Sequence, residues 1–287
     1  MNKVSILCVT YNRRDLVLRC LKSCIEQDYP NFEIVVVINP SGDGTEEAIE
    51  QQFPEAKVIR THKNLGFIPA LNLAIANSVG DYLMMVDDDA YFLQQDALAN
   101  LIAAFKNEPN LGAVTCTIEG PDEKRRVEKP DHYIEVFTTG FTMIPRKVHT
   151  EWIGFYPDLF FREASELYLC TKLWEMGKPV KRLQDVRMYH AFAMQGRPMP
   201  QFKFYALRDQ ILCAIMRDPL VILFPRILSK LLKSFIEFTT KGYFWTWVTA
   251  IFDALYRTPE ALRYRDPINF KTQKMLWRLR KEKPLKL

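Results

Sequence analysis

Three adjacent aspartates, Asp87, Asp88 and Asp89, follow five apolar or aromatic residues, Tyr82 to Val86. Neighbouring carboxylates repel one another and are tolerated most easily where they share a cation. Alternation along an extended segment puts Asp87 and Asp89 on one side, a pair suited to Mg²⁺ or Mn²⁺, which in turn can hold a diphosphate. The competing reading is an acidic turn that caps the next helix. Glu166 lies at the start of the amphipathic stretch Ser165 to Met176, where a helix dipole favours a carboxylate whether or not it does chemistry; Glu163 is a nearby competitor. His190 ends the extended run Asp185 to Tyr189, and a lone histidine in such a place is more often hydrogen-bonded than metal-bound. Asn64-Leu65-Gly66-Phe67 precedes a helical pattern with Ala70, Asn72 and Ala74 on neighbouring turns. Helix-to-sheet packing accounts for the alanines and leaves Asn72 over.

The elements that must carry these residues alternate in type. Val4 to Thr10, Phe32 to Ile38 and Tyr82 to Val86 are short apolar runs of the buried-strand kind. Between the first two, Leu16, Val17, Cys20, Leu21, Cys24 and Ile25 recur at helical spacing, with Asp15 available as a cap. Pro40 to Gly44 is turn chemistry, followed by a helix from Glu46 to Phe53, a strand from Ala56 to Arg60 and a helix from Pro69 to Ser78. This alternation predicts an α/β fold with a mostly parallel sheet and helices on both faces. Ligands in such sheets bind beyond the carboxyl ends of the strands. The segments at those ends are Thr10-Tyr11-Asn12, Asn39 to Thr45 and Asp87 to Asp89, so the polar residues fall where topology puts a site. Glu119 to Asp131, charged and with two prolines, reads as an exposed loop. Thr138 to Ile144 reads as a strand, Ser165 to Met176 as a helix stopped by Gly177, and Val180 to His190 as extended chain.

Composition adds an asymmetry. Residues 216–287 hold 15 Lys and Arg against 6 Asp and Glu, whereas residues 1–215 hold 24 against 28. Phe224, Ile227, Leu228, Leu231, Leu232, Phe235 and Phe238 repeat at helical spacing in this basic part, and residues 243–256 add aromatics. No run reaches about 20 apolar residues, so a membrane span is not expected. Two readings stand: helices packed on the body, or a basic amphipathic surface against an anionic leaflet. No motif supports nucleic acid as a partner. Six cysteines without a Cys-x-x-Cys pair, and an opening MNKVSILCVT without a leader pattern, lead us to expect buried, reduced thiols in a cytoplasmic protein; the second reading of the basic helices would make it peripheral at the inner face of the cell membrane.

Taken in order, these segments resemble family 2 glycosyltransferases of the GT-A fold over roughly residues 3–215. Val9-Thr10-Tyr11-Asn12-Arg13 looks like the family's opening nucleotide-contact strand, and Asn39 to Thr45 like its second-strand loop. Asn64 to Phe67 with Ala70 and Asn72 looks like the Asn-x-Gly-Phe stretch, and Asp87-Asp88-Asp89 like the Asp-x-Asp motif. Gly140 to Arg146 and Trp152 to Phe161 look like the acceptor-side strand and Gly-Phe loop. Ser165-Glu166 with Leu169, Lys172 and Gly177 looks like the helix that bears the base, and Tyr205-x-x-Arg208-Asp209 like a run found in rhamnosyltransferase-like members. The chain departs from the pattern at Ile38, where an acidic residue is usual, at Ser165-Glu166 in place of Glu-Asp, and at Asp209 in place of Asn.

The resemblance implies a GT-A catalytic domain over 1–215, and the charge and spacing noted above leave 216–287 as a basic amphipathic helical region. It implies inverting transfer of a sugar from a UDP- or dTDP-linked donor to a hydroxyl of a saccharide or lipid-linked saccharide, in cell-surface polysaccharide synthesis. Glu166 would be the base. Asp87 and Asp89, with His190 as a further ligand, would hold Mn²⁺ or Mg²⁺. Thr10, Tyr11, Asn12, Arg13, Asn39, Asp43, Asn64, Gly66, Asn72, Asp87 and Asp88 would meet the donor, and Gly140, Trp152 and Arg208 would lie on the acceptor side. A non-catalytic nucleotide-sugar binding protein on the same fold is the alternative. A sugar-phosphate nucleotidyltransferase is set aside because the glycine-rich, Arg-containing loop of that family is absent.

Overall fold

The computed structural model describes residues 1–121, 131–193 and 198–281. The charged run expected to be a loop lies mostly outside these residues. Strand β1 (Val4–Thr10), helix α1 (Arg14–Ile25), β2 (Phe32–Ile38), α2 (Thr45–Gln52), β3 (Lys57–Arg60), α3 (Phe67–Ala76) and β4 (Tyr82–Asp87) alternate as the hydrophobic pattern requires. They build a parallel block in which β1 lies between β2 and β4 and β2 pairs with β3. Helix α1 begins one residue before Asp15, and its first amide, on Arg14, donates to Asp43 Oδ2 (3.0 Å). The cap therefore comes from the neighbouring loop and not from Asp15.

The second half is mixed. β5 (Ala90–Phe92), α4 (Ala97–Asn107), β6 (Ala113–Glu119), β7 (His132–Tyr133), β8 (Phe141–Pro145), α5 (Ser165–Glu175) and β9 (Val180–His190) complete a nine-stranded sheet, with a single π-helical turn at Val148–Trp152. β8 runs antiparallel to both β4 and β6, β9 is parallel to β6, and β5 and β7 are antiparallel to β9. β9 thus brings His190 opposite Ala90, beside the aspartates.

Side-chain alternation divides the core between the two faces of the sheet. Ile6 and Cys8 face α1, α2 and α4, where Cys20 and Cys24 pack, whereas Leu7 and Val9 face α3 and α5. All six cysteines are buried and free. Helix α6 (Met199–Arg217) runs through residue 216 and is followed by α7 (Leu220–Thr240), α8 (Phe244–Arg263) and α9 (Phe270–Lys281). Leu223, Phe238, Ala250, Ala254 and Ala261 join the same apolar cluster as Leu7 and Val9, so these helices pack on the body. Arg280 pairs with Glu135, and buried Arg217 lies 3.0 Å from Asp266 and also pairs with Glu175. No helix among the described residues is long and apolar enough to cross a membrane.

Candidate active site

Strands β1, β2 and β4 all end at one rim, and a cavity of about 360 Å³ opens there. Val9, Thr10, Tyr11 and Arg13 line it from the end of β1, Asn39 from the end of β2, and Asp87 and Asp88 from the end of β4. Asn64, Gly66 and Phe67 come from the turn into α3, and Thr138, Thr139 and Gly140 from the turn into β8. Phe161, Arg162, Glu163 and Glu166 come from the approach to α5 and its first turn, and Pro198, Gln201, Phe202 and Tyr205 from the start of α6.

The three aspartates differ in surroundings. Asp87 is half-buried, while Asp88 and Asp89 are buried. Arg13, itself buried, donates from Nη1 to Asp88 Oδ1 (2.8 Å) and lies 3.4 Å from Asp89 Oδ2, and Nη2 also donates to the Ala193 carbonyl. Thr10 Oγ1 donates to Asp88 Oδ2 (3.0 Å). Burial pushes the Asp88 carboxyl above its ordinary range, with Arg13 pulling against burial and Asp89 adding to it. Asp89 Oδ2 accepts the Ala193 amide (3.0 Å), and Asp89 Oδ1 lies 3.2 Å from His190 Nε2. One oxygen from each of Asp87 and Asp89 and one nitrogen of His190 all lie within 4.8 Å of one another. His190 Nε2 is buried, and beyond this close approach to Asp89 it makes no well-formed hydrogen bond among the described residues. Two carboxylates and an imidazole gathered in this way are a donor set that fits a divalent cation.

Gly140 makes room for this cluster. A Cβ there would come within 2.1 Å of Asp87 Cγ, so only glycine lets the carboxylate lie against the turn. Gly66, at φ +83°, does the same for Phe161, whose ring a Cβ would meet at 2.6 Å. Glu166, which lines the same cavity as Asp87 and Asp88, takes a hydrogen bond from Ser165 Oγ (3.1 Å), and Arg162 lies 3.4 Å from Glu163.

Several residues singled out from sequence lie elsewhere. Asn12, at φ +52°, takes the Gly42 amide on Oδ1 and donates its own amide to Ser41, tying two rim loops together. Asp43 caps α1 and binds the hydroxyl and amide of Thr45, bonds that hold its carboxyl below the usual range against burial. Asn72 Nδ2 donates to the Tyr156 carbonyl (2.8 Å) and its Oδ1 accepts the Tyr156 amide (3.1 Å), which fixes the Gly-Phe loop from behind. Trp152 stacks beneath Lys147 and Lys178, outside the cavity. Arg208 is buried behind Tyr205 and pairs with Asp209 and Asp253. The aromatic floor was not anticipated. Phe161 stacks on Tyr205 at 3.9 Å, and Arg162 lies over Phe202 at 4.9 Å. The spacing Pro198, Gln201, Phe202, Tyr205 is one helical face, and that periodicity was the available signal.

Comparison with known proteins agrees with this geometry. Residues 5–170 match the family described as Glycosyl transferase family 2. The chain is 33% identical over 114 residues to poly-beta-1,6-N-acetyl-D-glucosamine synthase of Staphylococcus epidermidis, a match covering 39% of this chain and 27% of that protein. It is 29% identical over 219 residues to an uncharacterized glycosyltransferase of Haemophilus influenzae, covering 72% of this chain and 66% of the other. The chain thus spans about a quarter of the synthase's length. The mannosyltransferase PcManGT of Pyrobaculum calidifontis, solved with GDP-Man and Mn²⁺, has the same fold (TM-score 0.62, 22% identity, 97% of this chain and 84% of that one). So does residues 1–349 of S. aureus TarS, solved with UDP-GlcNAc (TM-score 0.62, 18% identity, 97% and 87%).

Proposed function

This chain belongs to glycosyl transferase family 2 and has the GT-A fold, and on that premise we propose that it is a metal-dependent inverting glycosyltransferase. It moves a sugar from a nucleoside-diphosphate donor, UDP- or dTDP-linked, to a hydroxyl of a saccharide or lipid-linked saccharide acceptor in cell-surface polysaccharide synthesis. The observation that carries this reading is one cavity lined both by Asp87, a member of the Asp87–Asp89–His190 donor set, and by the Glu166 carboxylate.

Asp87, Asp89 and His190 would hold Mn²⁺ or Mg²⁺, and a bound divalent cation supplies charge neutralisation for the leaving diphosphate. Thr10, Tyr11, Asn39, Asn64 and Gly66 line the donor side, with Asp88 held rigid by Thr10 and Arg13. Glu166 takes the proton from the acceptor hydroxyl as its oxygen attacks the anomeric carbon and the bond to the diphosphate breaks. The Phe161, Phe202 and Tyr205 rings offer apolar faces on which a sugar can rest.

Two measurements test the reading. Glu166→Gln is expected to lower kcat by about 10²-fold or more while leaving nucleoside-diphosphate affinity in Mn²⁺ unchanged; normal turnover sinks the base assignment. Nucleoside diphosphates are expected to raise the melting temperature more with Mn²⁺ than without it, and Asp87→Asn to remove that difference. Affinity indifferent to Asp87 and Asp89 sinks the metal assignment.

We further infer that the protein works at the cytoplasmic face of an anionic membrane. Of the 24 large hydrophobic side chains that are exposed among the described residues, 16 fall between Leu220 and Trp277. On α7 they form a stripe through Val221, Phe224, Leu228, Leu232 and Phe235, and on α8 another through Trp245, Phe252 and Tyr256. With the excess of Lys and Arg in this part of the chain, these stripes have the character of an interfacial surface.

A further inference from the structure

The chain reaches Glu166 through a loop that has no regular structure of its own, yet its backbone groups are fixed from two sides. On one side stands α6. Asp209 Oδ2 accepts three successive amides, those of Phe161 (3.2 Å), Arg162 (3.0 Å) and Glu163 (3.1 Å). Its neighbour Arg208 donates from Nη2 to the Leu159 carbonyl (3.2 Å) and holds Asp209 Oδ1 through Nε (2.8 Å) and Nη2 (2.7 Å). On the other side, the Phe161 carbonyl accepts the Phe67 (2.8 Å) and Ile68 (3.2 Å) amides at the start of α3. Immediately after the three bound amides, Ala164 takes φ +67°, a left-handed conformation that a residue with a Cβ avoids unless its surroundings impose it. That turn starts α5 and sets the direction of Glu166 two residues on.

Asp209 is fully buried and does not line the cavity. A carboxylate gathering three consecutive amides is a strong arrangement, because each bond is charge-assisted. Arg208 balances its charge and extends the network outward, donating from Nη1 to Asp253 Oδ2 on α8 (3.1 Å).

We propose that Asp209 is a positioning residue for the transfer: it draws the Phe161 to Glu163 backbone into the turn at Ala164 and so delivers Glu166, with the Arg162–Glu163 pair, to the cavity. This rests on the reading of Glu166 as the base. Asparagine at 209 has one carbonyl oxygen, which can serve either the three amides or Arg208, but not both.

The test is Asp209→Asn in the full chain, read in two ways. Steady-state kinetics are expected to show kcat lowered about 10- to 100-fold, with nucleoside-diphosphate affinity in Mn²⁺ within about twofold of the parent, since Asp88 keeps its bonds to Thr10 and Arg13. Hydrogen exchange is expected to quicken at the amides of 161–163 and not in β1 or β4. A kcat within about twofold of the parent overturns the proposal, as does unchanged exchange at those amides. If Asp209→Asn fails to fold, Arg208→Lys is measured instead. It keeps a cation beside Asp209 but loses the paired grip on Oδ1, so the carboxylate that gathers the amides is less firmly held; kcat is expected to fall about three- to tenfold at unchanged donor affinity, with quicker exchange at the amides of 161–163, and unchanged kcat with unchanged exchange overturns the proposal. Should Glu166→Gln turn over normally, the base assignment fails by itself, and the exchange experiment still decides whether Asp209 orders the loop.

Discussion

At the scale of single residues, the site depends on what a side chain excludes as much as on what it offers. Gly140 is the sharpest case, because the Asp87 carboxyl occupies the space a Cβ would need. Gly140→Ala is expected to displace that carboxylate and weaken Mn²⁺-dependent nucleoside-diphosphate binding by about tenfold or more, at a stability cost of about 1–3 kcal/mol; titration calorimetry with and without Mn²⁺ checks it. The pairing of Asp87 with Asp89 was legible in the sequence, since period-two alternation needs no knowledge of the rest of the chain. The position of Arg13 was legible as a site residue, but its partners were not. It meets Asp88 across 75 residues, and nothing in a linear pattern reports such a meeting. Asn72 shows the same limit from the other side. Helical spacing identified a polar residue near the rim but not the direction it faces, which is toward the Tyr156 backbone.

At the scale of elements, the parallel block was readable because buried strands are continuous apolar runs, and β1, β2 and β4 appear in the sequence as such. The antiparallel placement of β8 between β4 and β6 was not, because sheet order depends on how the chain returns rather than on which residues are apolar. The π-helical turn at Val148–Trp152 carries a consequence for acid stability. His149 is buried, its Nδ1 contacts the Gly154 carbonyl (2.9 Å), and burial pulls its pKa down to about 4 from 6.5. In the unfolded chain the imidazole binds a proton more readily, so folding stability falls as the pH drops from about 6.5 toward about 4. At pH 5 the expected loss from this residue is about 2 kcal/mol relative to pH 7. Chemical denaturation at the two pH values measures it, and His149→Gln is expected to flatten the difference.

At the scale of the whole molecule, the basic C-terminal helices are structurally part of the body and chemically unlike it. The shift in charge at residue 216 was visible in composition, yet it falls near the end of α6 rather than between elements, because charge marks the surface while packing follows the core. Ala250, Ala254 and Ala261 are buried and give α8 a small-residue face against the body. Ala254→Leu is accordingly expected to destabilise the protein by about 1–3 kcal/mol, read as a lower melting temperature. The exposed face makes a separate prediction. The protein is expected to float with phosphatidylglycerol-containing liposomes at low salt and less so with neutral ones. Phe224→Ser and Trp245→Ser are each expected to weaken that binding about tenfold. Sedimentation that shows a concentration-dependent dimer, with no flotation, would assign the face to a second copy instead.

The Arg13 guanidinium set into the acidic cluster has a further consequence. Part of the negative charge at the rim is already balanced by a group the chain carries itself, so removing a divalent cation is expected to leave the melting temperature almost unchanged. On the proposed reading, chelators are expected to silence transfer without unravelling the molecule, and the ion would travel with each nucleotide rather than serve as a rivet in the scaffold.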